Sequence, residues 1–158
     1  MKRVLIPLAV LVVALATAGI ALAQSGHFVT GGANAPVCTD IGTQVQCTGK
    51  VAGLGGTTFE ITVSAPGVAS VECENPGGNV APGQDTSITA TGTSGPLPTP
   101  RNGQFVFTVM TDPPTVPNFP TCPNEMWIAH VVDVTFGDAT LSLFEDGVLS
   151  DQIVVPVN

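Results

Sequence analysis

Alternation constrains this chain more than any other feature. In TTFEITVS (57–64), Phe59, Ile61 and Val63 take one parity, with Thr58, Glu60 and Thr62 on the other. VASVECE (68–74) repeats the pattern, with Ala69, Val71 and Cys73 on one side and Glu72 and Glu74 on the other. QFVFTVMT (104–111) sets Phe105, Phe107 and Val109 against Val106, Thr108 and Met110. A period of two belongs to strands that bury one face. ATLSLFEDGVLSDQIVVPV (139–157) reads as two more strands around Asp146-Gly147, a dipeptide suited to a type I′ hairpin turn. Helical periodicity is missing after residue 23, and good helix formers are sparse there beside 17 of the chain's 18 Gly and 13 of its 14 Pro. The segments GPLPTPRNG (95–103) and DPPTVPNFPTCP (112–123) are too rich in proline for central strands and are predicted to be surface loops. About eight or nine short strands at this spacing predict an all-β fold, a single sandwich.

The chain opens MKRVLIPLAVLVVALATAGIALAQ. Lys2 and Arg3 precede an apolar run, and Ala21-Leu22-Ala23 offers small residues before Gln24, the pattern of a cleaved signal peptide. If it were not cleaved, the run would be about long enough to hold the chain in a membrane. The expected organisation is therefore a signal peptide over 1–23, a flexible lead-in over 24–36, QSGHFVTGGANAP, and one sandwich domain over 37–158. Removing residues 1–23 of the 158 leaves 135, enough for one core. It also leaves Lys50 and Arg101 as the only Lys or Arg against 12 carboxylates, a net charge of −10. Such a surface cannot neutralise phosphates, so nucleic acid and anionic membranes are poor partners.

Four cysteines follow the leader, Cys38, Cys47, Cys73 and Cys122, with no C-x-x-C among them. In a small exported domain an even count points to disulfides, and four cysteines allow three connectivities. VCTDIGTQVQC (37–47) reads as two short strands around a turn, which favours Cys38–Cys47 and leaves Cys73–Cys122. The spacing fits no zinc pattern.

CENPGGNVAPGQDTSITATG (73–92) sets glycines beside acids and a cysteine, residue types that phosphate loops and metal sites use. A phosphate loop needs Lys-Ser/Thr after its last glycine and then a helix; this stretch has neither and reads as a strand–loop–strand connection. Its order, C-x-N-x-G-G, then P-G, then an alternating Thr-rich strand, resembles bacterial extracellular Ig-like modules. TFEITVSAPG before it, NGQFVFTV after it and the WIAHVVDVTFGDATLSLFEDG hairpin extend the likeness over the whole exported chain. That chain resembles small secreted Ig-like β-sandwich proteins of high-GC Gram-positive bacteria. A looser similarity links it to neocarzinostatin-type apoproteins, which are acidic, Lys-poor Ig-like sandwiches with a short hairpin disulfide like that of CTDIGTQVQC. The resemblance implies an Ig-like fold and carries no functional residues across.

Gly92-Thr93-Ser94-Gly95-Pro96 faintly matches the surroundings of a serine nucleophile, but such a serine needs a histidine base oriented by a carboxylate. The two histidines are His27, in the lead-in, and His130, in a strand where it is expected to be hydrogen-bonded in or beside the core. In MWIAHVVDVTF one face would carry Met126, Ile128, His130, Val132, Val134 and Phe136, unless a bulge near Asp133 changes the register. Glu145, Asp146, Asp138 and Asp151 gather around the C-terminal hairpin and read as solvated turn carboxylates, since no D-x-D-x-D-G calcium spacing is present. Glu60, Glu72 and Glu74 fall on outward positions with no cleft around them. Trp127 is expected to pack in the core, and an exposed Trp127 would mark a binding face.

The loop NFPTCPNEMW, pinned by Cys122, is similar to the disulfide-held loops of small secreted protease inhibitors, such as the subtilisin-inhibitor family. Pro123, Asn124, Glu125 and Trp127 are its candidate binding surface. Together these readings predict a secreted, non-enzymatic binding or cell-envelope module without a cofactor or metal, whose partner is an extracellular protein, glycan or small molecule. A protease inhibitor and a small-molecule carrier are the alternatives.

Overall fold

The alternating runs 57–64 and 68–74 belong to a single strand. The computed structural model describes residues 25–158, so the predicted leader and its cleavage point lie outside the described residues. The strands are β1 (His27–Phe28), β2 (Val37–Asp40), β3 (Val45–Ala52), β4 (Thr58–Glu74), β5 (Val80–Pro82), β6 (Thr86–Thr93), β7 (Leu97–Pro98), β8 (Phe105–Met110), β9 (Ile128–Phe136), β10 (Ala139–Glu145) and β11 (Val148–Val155). One short helix, α1 (Asn118–Thr121), interrupts them, along with a single 3-10 turn at Gly32–Asn34.

β4, 17 residues long, is the spine of a seven-stranded sheet. On one side its first half pairs with β10 and its second half with β9; on the other side it pairs in turn with β7, β6 and β5. Pro66 would ordinarily end a central strand, because it cannot donate to the ladder. Here the Pro66 carbonyl accepts the Gly137 N–H at 2.8 Å, so the backbone of Pro66 faces the connection between β9 and β10. No ladder donor is required at that gap, and the strand continues through the proline.

The second sheet pairs β3 with β1 and β2 on one edge and β8 on the other. Between the sheets lies the main core. It takes Val45, Val51, Phe107 and Val109 from the small sheet and Phe59, Ile61, Val63, Leu141 and Leu143 from the large one. Phe28 meets Phe107 edge-on, with ring centroids 5.8 Å apart, and Phe59 tilts against Phe105 at 5.1 Å. Full burial of each such side chain contributes about 1.5–3 kcal/mol. The predicted parity of β4 and β8 holds throughout. The segment 24–36 is more than a lead-in: β1 pairs with the end of β3, and Phe28 is 2% exposed in the core.

Both disulfides form as expected, Cys38–Cys47 and Cys73–Cys122. Cys38 and Cys47 are direct cross-strand partners of β2 and β3. Cys73 lies in β4, whereas Cys122 follows α1, so neither bond joins one sheet to the other. The second bond shapes the far half of the large sheet, where Ala69, Val71 and Val134 form a smaller apolar cluster. The Pro-rich segment 112–117 covers that cluster as a strap. It leaves the β6 edge at Asp112, whose N–H donates to the Thr91 carbonyl at 2.8 Å, and packs Val116 onto the cluster. At Asn118 it reaches β9, where the side-chain oxygen accepts the Ala129 N–H at 3.0 Å.

The stretch 73–92 turns the chain, as predicted. Asn75 Oδ1 accepts the Gly77 and Asn79 N–H groups, β5 follows, and β6 returns along β4. In β9 the expected face is broken by a bulge. Asp133 sits opposite Ser70 and Val131 opposite Val71, leaving Val132 as the extra residue. Ile128, His130 and Val132 therefore point to solvent, while Val134 turns inward.

Candidate binding surface

The loop from α1 to the start of β9 is held from beneath. The Cys122 N–H donates to the Asn118 carbonyl and the Gln84 N–H to the Thr121 carbonyl at 2.9 Å. Thr121 and Cys122 are buried, with the disulfide fixing Cys122 to the far end of β4. Asn124 shapes the outer turn: its Oδ1 accepts the Met126 N–H at 3.0 Å, and its carbonyl accepts the Trp127 N–H at 3.2 Å. On this anchored base the apolar side chains face outward. Phe119 is 57% exposed, Met126 71% and Ile128 54%. Phe119, Asn124, Glu125 and Met126 line a shallow depression of about 400 Å³.

Of the predicted surface, Pro123, Asn124 and Glu125 are exposed, and Trp127 is half-buried outside both apolar clusters instead of packing in the core. Phe119 and Met126 were missed. Their signal is visible after the fact: Phe119 lies between Pro117 and Pro120, in a segment that could only be a surface loop.

The remaining candidates are dispersed. His130 is exposed, outside the core, and pairs with Glu74 at 3.1 Å. Ser94 is occupied structurally: its hydroxyl accepts the Ile61 N–H at 3.0 Å and donates to the Gly95 carbonyl at 2.9 Å. Among the described residues no three His, Cys, Asp or Glu side chains gather to hold a metal ion.

The hairpin carboxylates correct the expectation most. Glu145 is 0% exposed, at the last inward position of β10 after Leu141 and Leu143. Its Oε1 accepts the Gly55 N–H at 2.7 Å and the Gly56 N–H at 3.1 Å. Its Oε2 accepts the Gly26 N–H at 2.9 Å and the Ser150 hydroxyl at 2.7 Å. Burial raises the pKa of this group, but the Ser150 hydroxyl and the three glycine N–H groups outweigh it and hold the carboxyl below its ordinary value. A Cβ at Gly26 would meet Oε2 at 2.7 Å, so any larger residue there would have to displace the carboxylate from its donors.

Asp146 and Asp151 play similar parts. Asp146 takes the Thr58 and Thr57 N–H groups and the Thr58 hydroxyl, which lower its pKa. Its φ of 48°, followed by 81° at Gly147, gives the predicted turn two successive left-handed residues. Asp151 accepts the Phe28 N–H at 2.8 Å. Of the four carboxylates read as solvated, only Asp138 stands clear in solvent without a hydrogen bond. The other three clasp the 25–28 segment and the 55–58 loop to the C-terminal hairpin.

No protein-family model and no curated protein matches this chain. Among solved structures, a calcium-binding mutant of Bacteroides uniformis beta-glucuronidase 2 is similar over 82% of this chain, with 12% identity and a TM-score of 0.34. The chain spans 14% of the length of that protein, and a likeness this low carries no argument.

Proposed function

We propose that this chain is a secreted, non-enzymatic binding module of Ig-like type, which engages an extracellular or cell-envelope partner through the loop 118–128. The observation that carries the reading is the exposure of Phe119, Met126 and Ile128 on a base tied down by Cys73–Cys122. Apolar surface covered by a partner is worth about 25 cal/mol per Å². A loop already ordered by its disulfide gives up little entropy on binding.

Several facts support the rest of the reading. Two disulfides suit an oxidising compartment. Glu145, Asp146, Asp151 and Ser94 are engaged in holding loops, and His130 pairs with Glu74 on the open surface. The aromatic packing between the sheets fills the place where a carrier would hold its cargo. Against an inhibitor, the peptide bonds following Phe119 and Cys122 both run into proline.

The test compares the exported protein with a variant carrying Phe119→Ser and Met126→Ser. Both sites are exposed, so the two proteins should melt alike. The wild type is expected to be retained on envelope fractions of the producing cells and the variant released. Equal retention would remove the loop from this role, and tight inhibition of a subtilisin-like protease, lost in the variant, would move the inhibitor reading ahead.

A further inference from the structure

We infer that the free edge of β6 is a strand-addition site for an extended, basic peptide segment of another protein. β6 pairs with β4 along one side only. Two hydrogen bonds establish which residues face away. The Ser94 N–H donates to the Ile61 carbonyl of β4, and the Thr91 carbonyl accepts the Asp112 N–H from the opposite side. Backbone groups alternate along a strand, so Ser87 and Thr89 turn their N–H and C=O groups to the open edge with Thr91. Among the described residues nothing pairs with them.

The chain starts to fill this edge itself and then stops. Asp112 makes the first bond of a strand along β6, but Pro113 and Pro114 have no N–H to continue it, and the strap leaves. Between edge and strap remains a groove of about 340 Å³, lined by 86–91 and 112–117. Edge strands are ordinarily blunted by a charge, a proline, a bulge or shortness. β6 is eight residues of TSITATGT, with none of these inside it. An edge left regular and open is the template that strand-adding peptides use: backbone bonds supply affinity, and alternate side chains supply selection.

Charge identifies the occupant. Asp85 and Asp112, both exposed, bracket the two ends of the groove, whereas the lining carries no cation. A second copy paired antiparallel through β6 would bring the Asp85 end of each chain against the Asp112 end of the other. Self-pairing therefore sets like charges together, and a peptide with Lys or Arg at its ends is favoured. Its inward side chains would meet Pro113, Pro114 and Val116 and should be small and apolar. The inference does not depend on the loop 118–128.

The probe is the acetylated, amidated peptide Lys-Val-Thr-Val-Thr-Lys, titrated into the ¹⁵N-labelled exported protein while amide shifts and hydrogen exchange are followed. The expected result is saturable shifts at Ser87 and Thr89 and exchange slowed there by about tenfold or more, as new backbone bonds form. A peptide N-methylated at alternate residues should not bind, and one ending in Glu should bind at least ~10-fold more weakly. Thr89→Pro should abolish binding without lowering the melting temperature, because the N–H it removes has no partner. Asp85→Asn with Asp112→Asn, both at the surface, should erase the preference for Lys over Glu. Unchanged Ser87 and Thr89 amides at millimolar peptide would overturn the inference. So would shifts confined to Phe119–Ile128, equal binding of the N-methylated peptide, or edge amides already protected in the free protein, which would mean that a second copy covers them.

Discussion

Replacing Glu145 by Gln isolates the contribution of its buried charge. Shape is preserved, but one of the two acceptor oxygens becomes an NH₂ group. The best arrangement keeps the amide oxygen on the Gly55 and Gly56 N–H groups and places NH₂ where Oε2 stood. Ser150 can then accept from it and give its own proton to the Gly26 carbonyl, 2.9 Å away. The Gly26 N–H is left facing another donor in a buried site, which costs about 1–3 kcal/mol, and the bonds to Gly55 and Gly56 weaken from charge-assisted to neutral. The sum is about 3 kcal/mol at pH 7, or about 10 °C in melting temperature for a domain of this size.

The pH dependence has a definite sign. The folded pKa of Glu145 is depressed, so its contribution is complete above the ordinary Glu value of about 4.3 and disappears as pH falls through the lower folded value. Urea unfolding of wild type and Glu145→Gln from pH 7 to pH 3 should give a gap that is constant at neutral pH and closes in acid. Exchange at the Gly26, Gly55 and Gly56 amides should quicken in the variant. A gap below about 0.5 kcal/mol at pH 7, the range of ordinary surface substitutions, or one that widens in acid, would refute the reasoning.

The two disulfides should differ in weight. They span sequence separations of 49 and 9, so in the chain-entropy model loss of Cys73–Cys122 costs about 4 kcal/mol and loss of Cys38–Cys47 about 3 kcal/mol; urea unfolding of the paired Cys→Ala variants tests the order, and a reversed order would sink it. Phe28→Ala should destabilise by about 3–5 kcal/mol if the 25–28 segment belongs to the core. A loss below about 1 kcal/mol would return that segment to the status of a tether.

What could be read beforehand follows from how local each cause is. The parity of Phe59, Ile61 and Val63 is a property of neighbouring residues, so the buried face of β4 was legible, as were the Asp146-Gly147 turn and the hairpin holding Cys38–Cys47. The runs 57–64 and 68–74 read as separate because the tolerance of Pro66 between them depends on where two other strands, β9 and β10, change over beside it. Phe28 looked like part of a tail because its partner, Phe107, is far along the chain. Glu145 could have been found. The alternation Leu141, Leu143, extended by two residues, lands on it, but chemical habit places an acid beside a turn in water. The outward Phe119 and Met126 depended on a strap whose path is fixed only once Cys122 meets Cys73.

The same residues explain why an acidic chain can also be rich in glycine. With only Lys50 and Arg101 among the described residues, 12 carboxylates cannot be balanced by ion pairs, and His130–Glu74 at 3.1 Å is the one contact there that becomes an ion pair when the imidazole is protonated. Backbone N–H groups take the place of cations. Gly26, Gly55 and Gly56 supply Glu145, Gly42 supplies Asp40, and Phe28 supplies Asp151. Glycine loops present such donors without a Cβ in the way, which is why Gly26 can approach Glu145 so closely. Glu145, held in this way below its ordinary pKa, forms no surface ion pair for salt to screen, so its vulnerability lies in acid and not in ionic strength. Among the acids left over, Glu125 beside Phe119 and Met126, and Asp85 and Asp112 at the ends of the β6 groove, make no salt bridge among the described residues. If the proposed binding at these surfaces holds, a basic partner is favoured at the β6 groove, and high salt should weaken that binding while leaving the fold intact.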